Sequence, residues 1–239
     1  MKRRRVLQGV GLAAIAGWVW GAPRLARLGQ DPVTFTAIPG AEPFRQLDRA
    51  SALSASAGIF AGLDAPAPQF TGALCPALFG GNDGLAIAYF SDVQCPNCPR
   101  MEAATRAAIG DQPIPLIRHE LPLLGPRSVA VAKVFLAAKL QSAGQDIASI
   151  LLGTPGPITP ARLADIADRT GLDHQRWVAD IDSATVANHL AQEYGVAARL
   201  GIYGTPGTVI GRTVILGALP EHQIAQIIAT ERQDNQVCG

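Results

Sequence analysis

Phe90-Ser91-Asp92-Val93-Gln94-Cys95-Pro96-Asn97-Cys98-Pro99-Arg100-Met101-Glu102 sets two thiols three residues apart where one local pattern gives way to another. Upstream, Leu85 to Phe90 is an apolar run behind the turn cluster Gly80-Gly81-Asn82-Asp83-Gly84, and it reads as a buried strand. Downstream, Arg100 to Ile109 is built largely from Ala, Glu, Met and Arg, which favour helix, and Pro96 suits a first helical position. Cys95 is therefore expected at a helix N-terminus, where unpaired backbone N–H groups and the helix dipole stabilise an anion. A thiol so placed ionises readily. Its thiolate attacks a disulfide, and Cys98, one turn on, resolves the mixed disulfide that forms. A structural zinc site would need two further ligands, and no second Cys pair or His-x-x-x-His stands near. Two incidental buried cysteines remain an alternative, but a strand before and a helix after favour the redox pair.

The whole chain, 239 residues with 48% hydrophobic and 16% charged, has a globular composition with room for one substantial core and a subdomain. Lys2-Arg3-Arg4-Arg5 followed by the apolar Val10 to Trp20 has the charged and hydrophobic regions of a secretory signal, too short for a comfortable membrane span. The run through Val6-Leu7-Gln8 loosely matches a twin-arginine export signal. Residues 1–22 are thus expected to be a signal peptide cleaved near Ala22, or else a retained N-terminal anchor. Without them the chain keeps 16 basic residues against 19 acidic ones, so nucleic-acid binding has no electrostatic support. Export to the periplasm would give the dithiol an oxidising setting in which to hold or pass on a disulfide.

Residues 23–82 read as a polar, Pro- and Gly-punctuated extension with one strand at Val33 to Ile38, ended by Pro39-Gly40, a short helix around Leu47 to Ser54, and irregular packing elsewhere. Its one chemical feature is Cys75. The fourth cysteine, Cys238, lies in the tail at residues 234–239, and an even count in an exported chain leaves Cys75–Cys238 as the second pairing once Cys95 and Cys98 are joined. Such a loop closure is worth about 4 to 5 kcal/mol in the chain-entropy model. The alternatives are two free thiols, or a Cys238 that relays electrons to the active pair.

Ile114 to Glu120 reads as a second strand, parallel to the first by the crossover rule, so residues 83–122 form a βαβ unit. Residues 123–201 are helical throughout: Val129 to Ala143, Asp146 to Leu152, a helix capped by Thr159 and stopped by Gly171, one capped by Asp173, and one capped by Ser183 and ending at Gly201. Phe135, Trp177 and Tyr194 are expected in their core. Residues 202–233 return to strands at Gly207–Ile210 and Thr213–Leu216, joined through Gly211-Arg212 as a type II′ hairpin, and close with a helix opened by Pro220-Glu221. The order predicts an α/β thioredoxin fold with an inserted helical subdomain. His119, His174, His189 and His222 lack ligand-spaced partners and read as surface or hydrogen-bonded residues, His119 being the one nearest the active site. Lys133, Lys139, Arg162 and Arg199 read as solvated helix faces.

Three segments together resemble the DsbA-type thiol-disulfide oxidoreductases over roughly residues 83 to 230: Phe90 to Cys98, His119-Glu-Leu-Pro-Leu-Leu-Gly-Pro-Arg-Ser128, and Leu200-Gly-Ile-Tyr-Gly-Thr-Pro-Gly207. The resemblance implies that Pro206 is cis and packs against the dithiol, and that the backbone of Thr205 pairs with an extended client polypeptide. It implies disulfide introduction into reduced clients, no cofactor and no metal, and reoxidation by a membrane redox partner or a small oxidant. Isomerases of this broad fold dimerise through an added domain, which residues 23–84 are too short to supply, so a monomer is expected. Many relatives carry an acidic residue six positions before the first cysteine, where this chain has Tyr89. A neutral phenol is a poor base, so mixed disulfides are expected to resolve slowly, and Tyr89→Glu is the variant that tests this; the alternative is that Tyr89 simply packs in the buried strand. Pro96 and Asn97, between the cysteines, tune the potential. A reductase or isomerase held reduced by a membrane partner uses the same residues. A copper(I)-binding module is a third reading, although it would have no use for Thr205-Pro206.

Overall fold

The computed structural model describes residues 34–48, 70–82, 84–142, 147–148, 150–151 and 156–234. The strands are Phe35–Ala37 (β1), Arg45–Leu47 (β2), Ile87–Ser91 (β3), Leu116–Glu120 (β4), Gly207–Ile210 (β5) and Thr213–Leu216 (β6). The helices are Leu74–Phe79 (α1), Cys98–Ile109 (α2), Pro126–Lys139 (α3), Pro160–Thr170 (α4), His174–Ile181 (α5), Ala184–Arg199 (α6) and Glu221–Asp234 (α7). Ile147, Ala148, Ile150 and Leu151 are also helical. The expected signal at residues 1–22 and the tail carrying Cys238 lie outside the described residues.

The six strands form one sheet in the order β1-β2-β6-β5-β3-β4. β3 pairs in parallel with β4 and antiparallel with β5, so the βαβ unit and the hairpin meet along one central strand. Every residue of β3 and of β5 is buried. A strand of this kind must be apolar on both faces, and the period of two then sends alternate residues to different layers. Ala86, Ala88 and Phe90 join a core with α1 and α6 residues such as Leu78 and Val196. Ile87 and Tyr89 join the other core, with Cys95, Cys98 and Met101 of the α2 segment and Ile224, Ile227 and Ile228 of α7. The site therefore sits on the α2–α7 side of the sheet.

Two parts of the extension are more regular than expected. Arg45–Leu47 is a strand, parallel to β6, and Leu74–Phe79 is a helix. The expected helix at Leu47 to Ser54 is corrected at its start, because Leu47 ends β2; residues 49–54 lie outside the described ones. Arg45 fixes the added strand: its guanidinium donates to Glu231 at 2.7 Å and to the Thr213 hydroxyl at 3.2 Å. Glu231 is 1% exposed and also accepts from Thr213 at 2.6 Å.

The helical insertion follows its capping residues. Thr159, Asp173 and Ser183 accept from the backbone N–H groups of Arg162, Arg176 and Val186, each bond worth about 1 kcal/mol. Phe135 and Trp177 lie in one apolar cluster with Tyr194 packed against it, and the Trp177 indole donates to the Val134 carbonyl at 3.1 Å. Ile210 and Thr213 are register partners across Gly211-Arg212. Gly211 has φ +55°, and Arg212 is not among the described non-glycine residues with positive φ, which is the sign pattern of a II′ turn.

Candidate active site

β3 ends at Ser91, and the six residues between it and α2 are folded by their own polar groups. The Asp92 side chain accepts from the Gln94 N–H at 2.8 Å, and its carbonyl accepts from the Cys95 N–H at 3.0 Å. Cys95 to Cys98 then form a turn closed by Cys98 N–H to Cys95 carbonyl at 3.3 Å, with Asn97 at φ −91° and ψ −14°. Those are the values of the third residue of a type I turn, whose second position favours proline, here Pro96. The expectation for Pro96 is thus corrected. It shapes the turn, while α2 starts at Cys98 with Asn97 as its cap and Pro99 in its first turn. Cys95 stands one turn ahead of the helix, whose first turn carries no acidic residue.

Cys95 and Cys98 form a disulfide with Cα atoms 5.4 Å apart, inside the usual range. Both residues are nearly closed to water, at 4% and 3% exposed. They line a cavity of about 470 Å³ shared with Asp92, Glu102, Arg118 and, from the insertion, Arg127. Gly207 is the register partner of Phe90, so the sheet brings the preceding Thr205-Pro206 alongside the segment that leads to Cys95. The Thr205–Pro206 peptide is cis, as the resemblance implies. A Cβ built at Gly207 would overlap the Ile202 side chain, so the close approach of this loop requires glycine. Cys75 is disulfide-bonded, and Cys238 lies outside the described residues.

Tyr89 is 1% exposed, and its hydroxyl donates to the Cys98 carbonyl at 2.6 Å. Burial pushes the phenol well above its ordinary value. Beside it in the ladder, Arg118 pairs with Glu120 at 2.6 Å and faces Glu102 at 3.6 Å. The Arg118 guanidinium also lies 5.2 Å from the Phe135 ring centroid, tying the insertion to the site. Burial drives the Glu120 carboxyl upward, and the pull of Arg118 and Lys139 only partly offsets it.

His119 does not approach the disulfide. It points to the other side of the sheet, stacked on Phe90 at 4.7 Å, with Nδ1 2.6 Å from Glu193 and Nε2 3.0 Å from the Leu78 carbonyl. Lys139 is also more than a solvated face, since its ammonium donates to the Arg118 carbonyl at 2.6 Å.

Sequence reasoning gave no role to Asp92, although it stands in the deciding stretch. Its side chain, 2% exposed, accepts four hydrogen bonds: from Gln94 N–H, from Leu123 N–H and Leu124 N–H at 2.8 and 2.9 Å, and from the Ser128 hydroxyl at 2.6 Å. An Asp just before a turn, accepting from the residue two on, is an Asx-turn signal available in the sequence. The Arg118/Glu120 pair was legible too, as charges two apart on one strand face.

Residues 86–229 match the DSBA-like thioredoxin domain family. The chain belongs to that family. Its fold and its Cys-x-x-Cys disulfide are those of a DsbA-like thiol-disulfide oxidoreductase. Among solved structures it is similar to a thioredoxin-like oxidoreductase from Silicibacter pomeroyi, at 26% identity and TM-score 0.57 over 66% of this chain and 97% of that one. The fold also matches the thiol-disulfide exchange protein alpha-DsbA2 from Wolbachia pipientis, at 21% identity and TM-score 0.55 over 73% of this chain and 92% of that one. A periplasmic thioredoxin-like protein from Salmonella enterica serovar Typhimurium matches at 20% identity and TM-score 0.52, over 69% and 99%. Two Na(+)/H(+) antiporters, NhaA 3 of Salinispora tropica and NhaA 1 of Salinispora arenicola, are 27% and 28% identical over 125 residues, 51% of this chain. That stretch is 19% of each antiporter, so the chain spans about one fifth of the curated relatives it matches.

Proposed function

We propose that this protein is an exported thiol-disulfide oxidoreductase that introduces disulfides into client polypeptides, with Cys95 as the attacked sulfur and Cys98 as the resolving one. The observation that carries the reading is the Cys95–Cys98 disulfide at the entrance to α2, with the cis Thr205–Pro206 loop brought alongside by the β3–β5 register. A client thiolate attacks Cys95 Sγ, the Sγ–Sγ bond breaks, and Cys98 leaves as a thiolate that takes up a proton. A second client thiolate attacks the client sulfur of the mixed disulfide and releases Cys95 as the thiolate, which the nearby helix N-terminus stabilises. Two client thiols are oxidised and the pair is reduced.

The extended client adds to the backbone of Thr205, at the edge left open where β5 begins. Pro206 has no N–H to offer there. Tyr89 acts by holding the Cys98 carbonyl, and Pro96 and Asn97 by setting the turn between the cysteines. Reoxidation falls to a membrane redox partner or a small oxidant, and Cys75–Cys238 is a structural disulfide. A periplasmic site of action is supported by the basic and apolar residues 1–22 and by the periplasmic Salmonella neighbour. No helix among the described residues is long and apolar enough to cross a membrane. The monomer is supported by β1 and β2, which take part of the described extension into this chain's own sheet.

The test is the equilibrium of the Cys95–Cys98 pair with glutathione, read by thiol alkylation and mass spectrometry. A potential near the DsbA value of about −120 mV is expected. A value near about −270 mV, as in thioredoxin, would overturn the oxidase direction in favour of reduction or isomerisation.

A further inference from the structure

The cavity that holds the disulfide is lined by three guanidinium groups, those of Arg106, Arg118 and Arg127, against the two carboxylates of Asp92 and Glu102. Both carboxylates are already engaged. Asp92 accepts its four hydrogen bonds from Gln94, Leu123, Leu124 and Ser128. Glu102 Oε1 accepts from Arg106 Nε at 3.1 Å and Nη2 at 2.8 Å, and its Oε2 faces Arg118 Nη1 at 3.6 Å. Two of the guanidinium groups keep donors in hand. Arg118, 7% exposed, binds Glu120 through Nε at 2.6 Å, and its Nη2 is buried with no acceptor. Arg127 is exposed, donates to the Gly156 carbonyl at a long 3.4 Å, and has no carboxylate paired with it among the described residues. Its backbone is tied to the reactive turn, because the neighbouring Ser128 hydroxyl donates to Asp92 at 2.6 Å and the Asp92 carbonyl accepts from the Cys95 N–H at 3.0 Å.

A buried donor left without an acceptor is costly to keep, and the acceptor that matches a guanidinium fork is a carboxylate. The cavity, about 470 Å³, has the size of a small-molecule site. None of its described lining residues comes from residues 200–207, the loop that carries Thr205 and Pro206, so it is separate from the strand-adding position assigned to clients. We propose that this cavity admits the small oxidant: a low-molecular-weight disulfide whose two halves carry carboxylates, with Arg127 and Arg118 receiving a carboxylate while a sulfur of the reagent meets Cys95. In the reduced protein the Cys95 thiolate attacks that sulfur, the reagent's S–S bond breaks, and one half leaves as a thiolate. Cys98 passes its proton to the departed thiolate and attacks Cys95 Sγ, so the mixed disulfide breaks and the second half leaves. The reagent gains two electrons, the cysteine pair loses them, and the Cys95–Cys98 bond is restored. The inference rests on the exchange reading above and names the class of oxidant that it left open.

The experiment uses the full-length protein with the Cys95–Cys98 pair reduced and two symmetrical reagents, the dianionic dithiodipropionate and the neutral hydroxyethyl disulfide. The quantity read is the ratio of their second-order rate constants for oxidising the pair, divided by the same ratio for dithiothreitol, which removes the intrinsic reactivity of each reagent. The wild-type value is expected at about fivefold in favour of the dianion, the factor carried by one ion pair at an open site, and it should fall toward one at molar salt. Arg127→Gln should bring it to about twofold, while Arg127→Lys keeps the charge and most of the preference. Glu102→Gln releases Arg106 and Arg118 toward the cavity and should raise the value to about tenfold. A wild-type value of one, or a value that Arg127→Gln and salt leave unchanged, overturns the anion subsite, and a fall in Glu102→Gln overturns the part given to Arg118. A reduced pair that neither reagent oxidises, under conditions where both oxidise dithiothreitol, overturns the exchange reading itself.

Discussion

The two faces of the β3–β4 ladder carry buried charges of similar make-up and put them to different use. On one face Tyr89, Arg118 and Glu120 stand behind the disulfide; on the other, Phe90 and His119 meet Glu193 of α6 and the Leu78 carbonyl of α1. The His119–Glu193 pair has the composition of a catalytic dyad and lies on the face opposite the Cys95–Cys98 disulfide. Its two bonds tie β4 to two helices, which makes it a fastening. Among the described residues, β3 and β4 turn no histidine to the disulfide face, and the tyrosine there binds the peptide carbonyl of Cys98. Proximity in sequence to the active strand therefore says little until the parity of the residue is known. One position along a strand separates chemistry from architecture.

The largest effect sharpens this contrast. Cys95→Ser is expected to abolish exchange with clients, and Cys98→Ser to accumulate mixed disulfides at Cys95, both visible by mass spectrometry after alkylation. His119→Ala should leave the redox potential within a few millivolts of wild type. Its cost falls on stability, about 3 kcal/mol in denaturant unfolding, because Glu193 is left buried without its partner. An unchanged stability would mean that the far face is not a fastening.

The two buried glutamates should also respond to pH with opposite signs. Burial alone would raise the Glu193 carboxyl, but the charge and hydrogen bond of His119, helped by Lys139 and His189, hold it below the ordinary glutamate range. Its stabilisation is complete above the unfolded value and is lost as pH falls through the folded one. The Glu120 carboxyl is raised, so its contribution is complete at pH below the ordinary glutamate range and is lost as pH rises through the folded value. Thermal unfolding across pH should show Glu193→Gln flattening the acid limb. Glu120→Gln should gain on the wild type as pH increases. Equal pH profiles for both variants would erase the distinction between the faces.

What the sequence made legible follows from how local each signal is. The buried strand before the cysteines, the three capped helices and the II′ hairpin are each written in a few adjacent residues, whereas the cis Thr205–Pro206 bond was expected only through the family resemblance. β2 was not, because Arg45-Gln46-Leu47 is three residues long, half-buried and mostly polar, and it becomes a strand only through Thr213 and Glu231 at the far end of the chain. The start of α2 was displaced for a related reason: Pro96 is acceptable both in a helical first turn and at the second position of a type I turn, and the Cys98 to Cys95 bond decides for the turn. His119 was assigned toward the site because a sequence does not reveal which residue of a strand shares parity with Cys95. The role of Asp92 needs Leu123, Leu124 and Ser128, more than thirty residues away, to be seen.

The smallest effect concerns the one hydroxyl that separates Tyr89 from a purely apolar residue. Tyr89→Phe keeps the ring in the core and deletes the donor to the Cys98 carbonyl, a buried bond of 2.6 Å. The expected cost is about 1 to 2 kcal/mol, the penalty for leaving one buried acceptor unpaired. If the bond serves only the fold, the oxidised and reduced proteins lose the same amount and the potential against glutathione stays put. If it holds the Cys98 carbonyl differently in the disulfide and the dithiol, the two forms lose unequal amounts. The potential then moves by the difference, about 30 mV for each 1.4 kcal/mol. A measured shift makes Tyr89 a tuning residue on the disulfide face, with no counterpart in the Phe90–His119 stack behind it; an unmoved potential makes both faces architectural at this position and leaves the cysteines and their turn to set the chemistry.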